Sequence, residues 1–156
     1  GAARGSLGRF LANPLLATQT DNVLVRLLLA PHPLVPPEGF IPSSADRLLL
    51  PAARAALARF DFVGLVEDRA LGTKLGHFLG RPAPLGRHNV TTLASAPLRP
   101  AFDEEMTPGT HDLLERRSRL DRRLWAEVAT EQGLDVAADC AFRRALRRYR
   151  KNNMLN

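Results

Sequence analysis

Apolar positions recur at helical spacing in several stretches of the chain. Val23, Leu24, Leu27 and Leu28 follow the i, i+1, i+4, i+5 spacing of a buried helical face, and Thr20 or Asp21 can cap that helix, which runs to about Ala30. Ser6 can cap a short helix from Leu7 to Asn13, which stops before Pro14. A third helix is expected from Ser44, with Asp46 in its first turn. Pro51 either kinks it or restarts it, and it continues to about Arg59. Asp68 can cap a helix from Arg69 to Leu79. Thr107 and Pro108 supply the capping oxygen and first position of another. Ser118 can cap one that places Leu120, Leu124, Trp125 and Val128 on a single face, with a break at Gln132-Gly133. A basic helix from Asp135 to about Arg150 closes the series.

One segment breaks the helical rhythm. Residues 60–67, Phe-Asp-Phe-Val-Gly-Leu-Val-Glu, are short, aromatic and β-branched, and apolar on nearly every position. That composition predicts a strand buried on both faces, as in a parallel sheet. The expected fold class is therefore α/β: mainly helical, with at least one buried parallel-type strand at 60–67. Between the elements, Pro31, Pro33, Pro36 and Pro37 make residues 31–39 a stiff connector, and residues 81–102 hold four prolines without periodicity.

Composition narrows the class. With 156 residues, 45% hydrophobic and 24% charged, the chain is of ordinary globular make-up. No stretch reaches the length of a membrane span, and no secretory pattern opens the sequence. A single Cys140 rules out an intrachain disulfide, so the chain reads as cytoplasmic. The net charge of +6 is unevenly distributed. Residues 101–139 hold ten acids and five bases, whereas residues 140–156 hold six bases and no acid. The excess is a tail property and does not favour a nucleic-acid partner.

Motifs for several enzyme classes are missing. There is no Gly-x-x-x-x-Gly-Lys phosphate loop, no Gly-x-Ser-x-Gly elbow and no His-Glu-x-x-His helix. His32, His77, His88 and His111 lie in four separate segments, and no metal is expected. Gly72, Gly76 and Gly80 recur every four residues, which reads as tight packing with a glycine stop. Arg87, His88, Asn89 and Thr91 gather anion-matching donors, amide and hydroxyl in one loop, and are the candidate cofactor- or substrate-binding residues. Arg143, Arg144, Arg147, Arg148, Arg150 and Lys151 form one side of a basic amphipathic helix, opposite Phe142, Leu146 and Tyr149.

Several of these phrases recur together in a known pattern. The run Leu57 to Asp68 resembles the helix-into-strand element of carbohydrate-type sulfotransferases that use 3′-phosphoadenylyl sulfate, and Leu79-Gly80 stands where their Leu-Gly pair follows. Asn89-Val90-Thr91 is similar to their Asn-x-Thr loop, Leu120 to Trp125 to their late helix, and Asn22 to Leu28 with Arg26 to an early segment. The likeness covers about residues 6–130 in order. It implies the C-terminal part of a P-loop nucleotide-kinase-like fold over residues 1–130, followed by a basic helix and tail at 131–156. It implies sulfuryl transfer to the hydroxyl of a small molecule or carbohydrate in the complete enzyme, with the cofactor-holding phosphate loop upstream or on a partner chain. No such loop stands in this sequence, so the residues alone leave the enzymatic assignment open. The other reading is a non-catalytic binding or scaffold protein whose basic C-terminal helix meets an acidic partner, lipid or nucleic acid.

Overall fold

The computed structural model describes residues 6–85 and 105–134. The expected loop at Arg87–Thr91 and the expected basic helix at 135–150 lie outside the described residues. Described elements are helical: α1 (Leu7–Ala12), a 3-10 turn (Pro14–Leu16), α2 (Ala17–Thr20), α3 (Val23–Leu29), a second 3-10 turn (Ser43–Ala45), α4 (Asp46–Leu57), α5 (Leu71–Leu79), α6 (Pro108–Arg117) and α7 (Arg119–Glu131). The chain divides into two compact units, one of residues 1–60 and 87–124, the other of residues 61–86 and 125–156.

The first unit is built on α3 and α4, which pack against each other, with Leu120 and Leu124 of α7 closing the core. Val25, Ile41, Ala45, Leu49 and Ala53 complete it, and Leu28, Leu29 and Leu57 pack around its edge. Leu49, Leu120 and Leu124 are fully buried, each contributing about 1.5–3 kcal/mol of transfer free energy. Helix α4 carries Pro51 in its interior and still runs unbroken from Asp46 to Leu57, with the proline on its exposed side. The missing amide is tolerated because the flanking positions Leu49 and Ala53 are anchored in the core. Helix α1 lies along α6. Thr107 Oγ1 accepts from the Thr110 amide at 3.2 Å and Pro108 takes the first position of α6, as the sequence predicts.

In the second unit the expected strand at 60–67 is not formed. Among the described residues there is no strand; residues 62–65 are irregular and residues 66–67 form a turn. Nor is the segment buried: Val66 is 86% exposed, and Phe60, which ends the first unit, is 59% exposed. A strand needs a neighbouring backbone to take its N–H and C=O groups, and no described segment offers one. The carbonyls of Val63 and Leu65 are used differently, by Gln132 Nε2 at 2.9 Å and by the Asp68 amide at 3.0 Å. Asp68 Oδ1 accepts from the Ala70 amide at 2.8 Å and leads into α5. Gly80 stops that helix at φ 64°, and the Arg81 amide reaches back to the Gly76 carbonyl at 3.1 Å. A Cβ on Gly76 would stand 3.1 Å from the Arg81 carbonyl oxygen, and one on Gly72 would stand 3.1 Å from that of Ala83. The bare stripe thus lets residues 81–85 fold back onto α5.

Candidate functional site

Two features of the first unit stand out, a buried polar junction and an apolar cavity, and Arg26 belongs to both. The first is a buried junction. Asp21 and Asn22 end the α2–α3 connection with no measurable exposure of Asp21, and Arg26 lies one turn into α3. Arg26 Nη2 bonds Asp21 Oδ2 at 3.0 Å and the Gly39 carbonyl at 2.7 Å. Its Nη1 bonds the Pro36 carbonyl at 2.7 Å, and its Nε bonds the Asp21 carbonyl at 2.8 Å. Nearly all of the guanidinium's donors are therefore spent on backbone and one carboxylate. Asp21 Oδ2 also accepts the Ile41 amide at 2.8 Å, and Oδ1 accepts Asn22 Nδ2 at 3.1 Å. A buried carboxylate survives in such a place because both oxygens are bonded and a cation faces it.

Asn22 adopts left-handed backbone at φ 46° and gives α3 no side-chain cap. Its Oδ1 instead accepts the Leu120 amide at 2.7 Å. The cap of α3 comes from Asp121, whose two oxygens accept the Leu24 and Val25 amides at 3.0 and 2.9 Å. Burial pushes the Asp121 carboxyl up from its ordinary value. The two amide bonds pull the other way, and the neighbouring Asp21 charge adds to the rise. Sequence reasoning placed the cap at Thr20 or Asp21; Thr20 Oγ1 in fact donates back to the Leu16 carbonyl at 3.0 Å. Ser118 likewise does not cap α7 through its side chain, which donates to the Leu114 carbonyl at 2.7 Å.

Two further arginines close the junction. Arg117 lies over the Phe40 ring, 3.1 Å from its centroid, and its Nε donates to the Leu11 carbonyl at 3.2 Å. Burial lowers its pKa, with Asp21 offsetting part of the effect. Arg119 clamps Asp46 through Nε at 2.9 Å and Nη2 at 2.7 Å, and Nη2 also reaches the Ile41 carbonyl at 2.9 Å.

The second feature is an apolar cavity of about 730 Å³ beside Arg26, walled by Leu27, Ala30, Pro31, Val35 and Pro36, with Thr18 and His32 at its polar points. His32 Nδ1 accepts the Leu34 amide at 3.1 Å and Val35 turns back onto the His32 carbonyl at 2.9 Å, so the proline connector is a folded wall. Chemically the cavity suits an uncharged apolar group. It does not suit a nucleotide: a bisphosphate needs unspent cationic donors, and Arg26, the cation lining the cavity, is committed to Asp21, Pro36 and Gly39.

The expected ligand-binding residues Arg87, His88, Asn89 and Thr91 lie outside the described residues, so the structure neither gathers nor separates them. Among the described residues, no group of histidines, cysteines and acids could hold a metal ion, and no helix is long and apolar enough to cross a membrane. One half of the Asp21–Arg26 pairing could have been anticipated: an arginine inside the apolar run Val23 to Ala30 requires a partner when that run is buried, and Asp21 stands about one turn before it. The part played by Asp121 had no local signal. No family model, no curated protein and no solved structure matches the chain.

Proposed function

We propose that the chain is a sulfotransferase-like portion of an enzyme that moves a sulfuryl group from 3′-phosphoadenylyl sulfate to an acceptor hydroxyl, and that it acts in the cytoplasm. The reading rests on the order of the motifs in the sequence. What supports it in the fold is that two of those motifs, Asn22–Leu28 and Leu120–Trp125, interlock through the Asn22–Leu120 and Asp121–Val25 bonds. Segments that resemble one family's elements and also bond across about a hundred residues are behaving as parts of one scaffold. The described residues form no phosphate cradle, so no step of the transfer is assigned to them. In this reading Arg87 to Thr91 contact the nucleotide or acceptor, Arg87 as the forked donor matched to phosphate.

The test is calorimetric titration of adenosine 3′,5′-bisphosphate into the whole chain. Micromolar binding that is lost in Arg87→Ala supports the reading. No heat at millimolar nucleotide, from a chain that still melts cooperatively, overturns it for this chain and favours the non-catalytic binding protein with its basic C-terminal helix.

A further inference from the structure

The cavity beside Arg26 is built like a ligand site, and the proposed transfer makes no use of it. Its volume of about 730 Å³ lies within the roughly 300–1,000 Å³ of small-molecule pockets. The walls are stiff. Pro31, Pro33, Pro36 and Pro37 all line it, each with its φ fixed by its ring. The Val35 amide bonds the His32 carbonyl at 2.9 Å, and Arg26 Nη1 holds the Pro36 carbonyl at 2.7 Å. A site formed in advance costs little ordering entropy to fill. Charge and hydrogen bonding then select the occupant. Neither an acid nor a lysine stands in the lining, and Arg26 is buried and committed to Asp21, Pro36 and Gly39. An ion of either sign would be desolvated there without a partner. The polar groups that remain are the Thr18 hydroxyl and the His32 ring. Because His32 Nδ1 accepts the Leu34 amide at 3.1 Å, the neutral ring carries its proton on Nε2 and can only donate to a ligand. Leu27, in the wall yet 75% exposed, is apolar surface that an occupant would cover.

We propose that this cavity binds an uncharged, mostly apolar organic molecule whose carbonyl oxygen accepts a hydrogen bond from His32 Nε2. Apolar contact with the prolines and Leu27 supplies the attraction. The histidine sets the preference for an oxygen at one end of the ligand. The inference stands on the cavity and its lining, independently of the sulfotransferase reading.

The probe is 6-propionyl-2-dimethylaminonaphthalene, a neutral ketone whose emission brightens and shifts to the blue in apolar surroundings. The full chain is titrated into a fixed trace of it at neutral pH. One saturable transition is expected, half complete at about 10–100 µM protein. Three naphthalenes of matched width then compete. 2-Acetylnaphthalene should displace the probe roughly five-fold more effectively than 2-ethylnaphthalene, the effect of one hydrogen bond, and 2-naphthoate should displace it least. Leu27→Lys and Thr18→Lys each put a charge at an exposed position of the wall. Whichever retains the helical circular dichroism of the parent must bind the probe about ten-fold more weakly. Leu48 is exposed but outside the cavity, and Leu48→Lys must leave binding unchanged. His32→Phe should erase the preference for the ketone over the ethyl compound, whereas a merely structural ring would weaken both alike. Absence of saturation overturns the inference. So does binding that persists in the folded lysine variants or falls equally in Leu48→Lys, naphthoate that displaces as well as the ketone, or an unchanged ketone preference in His32→Phe. A signal that declines as the chain self-associates at higher concentration would make a second copy the occupant, and also overturns it. The nucleotide titration is blind to all of these results, so the two ideas fail separately.

Discussion

Asp121 caps a helix that begins at Val23, far earlier in the chain: its Oδ2 holds the Leu24 amide at 3.0 Å, and its Oδ1 the Val25 amide at 2.9 Å. Helix α3 has no cap of its own, because Asn22 is turned to the Leu120 amide. Asp121→Ala is therefore expected to cost about 1–2 kcal/mol, the usual loss for a helix cap. Urea unfolding followed by circular dichroism checks it; an unchanged midpoint would mean that water replaces the carboxylate without loss.

The same carboxyl makes a prediction about pH. Burial raises the Asp121 pKa above its unfolded value, so the folded chain holds this proton more tightly than the unfolded chain does. Its contribution to stability is present at low pH and is lost as pH rises through the folded pKa. Asp121→Asn removes that opposing contribution. Stability in the variant should then climb more steeply with pH, just above the ordinary carboxylate range, than in the parent. Parallel curves would overturn the assignment.

Asp68 runs in the opposite direction. Its hydrogen bond with Lys74 lowers its pKa first of all, helped by the Ala70 amide; Lys74 Nζ lies 2.7 Å from Oδ2. A depressed folded pKa means that the contribution is present above the unfolded value and lost as pH falls through the folded one. Lys74→Met should raise the Asp68 carboxyl titration seen by NMR, and an unmoved titration would show that the pair does not persist in solution.

Arg26→Met leaves Asp21 buried and without its cation, and frees the Pro36 and Gly39 carbonyls. Breaking one partner of such a pair typically costs about 3–5 kcal/mol. Thermal melting should show the largest loss among these variants, and Arg26→Lys should not restore it, since an ammonium cannot reach the same four acceptors.

Gly76→Ala puts helix propensity against packing. An exposed helical glycine replaced by alanine normally gains about 1 kcal/mol. Here the new methyl would stand 3.1 Å from the Arg81 carbonyl oxygen and 3.2 Å from the Ala83 amide nitrogen. The gain should vanish or reverse, and chymotrypsin should cut after Leu85 faster than in the parent. Increased stability would show that residues 81–85 do not press on α5.

What was legible in the sequence was local. Thr107-Pro108 announced α6, Asp68 the start of the α5 region, and the helical spacing of Leu120 and Leu124 their full burial. Each rests on chemistry within one or two turns of chain. Apart from Thr20 and Ser118, whose hydroxyls turn back to the carbonyls of Leu16 and Leu114, the failures are long-range. The α3 cap was sought beside the helix and comes from Asp121. The strand at 60–67 was read from propensity and apolar content, but a strand exists only where another backbone pairs with it, and none of the described residues does. The loop Arg87–Thr91 lies outside the described residues, so the ligand-binding expectation still rests on residue chemistry alone.

The cap supplied from far along the chain also bears on synthesis. A ribosome delivers α3 and α4 well before Leu120, Asp121 and Leu124 exist, so the early chain emerges with an open helix start and a core missing two of its fully buried leucines. The first unit can settle only when its last segment arrives. Until then Val25 and Leu49 lack the cover that Leu120 and Leu124 give them in the finished core.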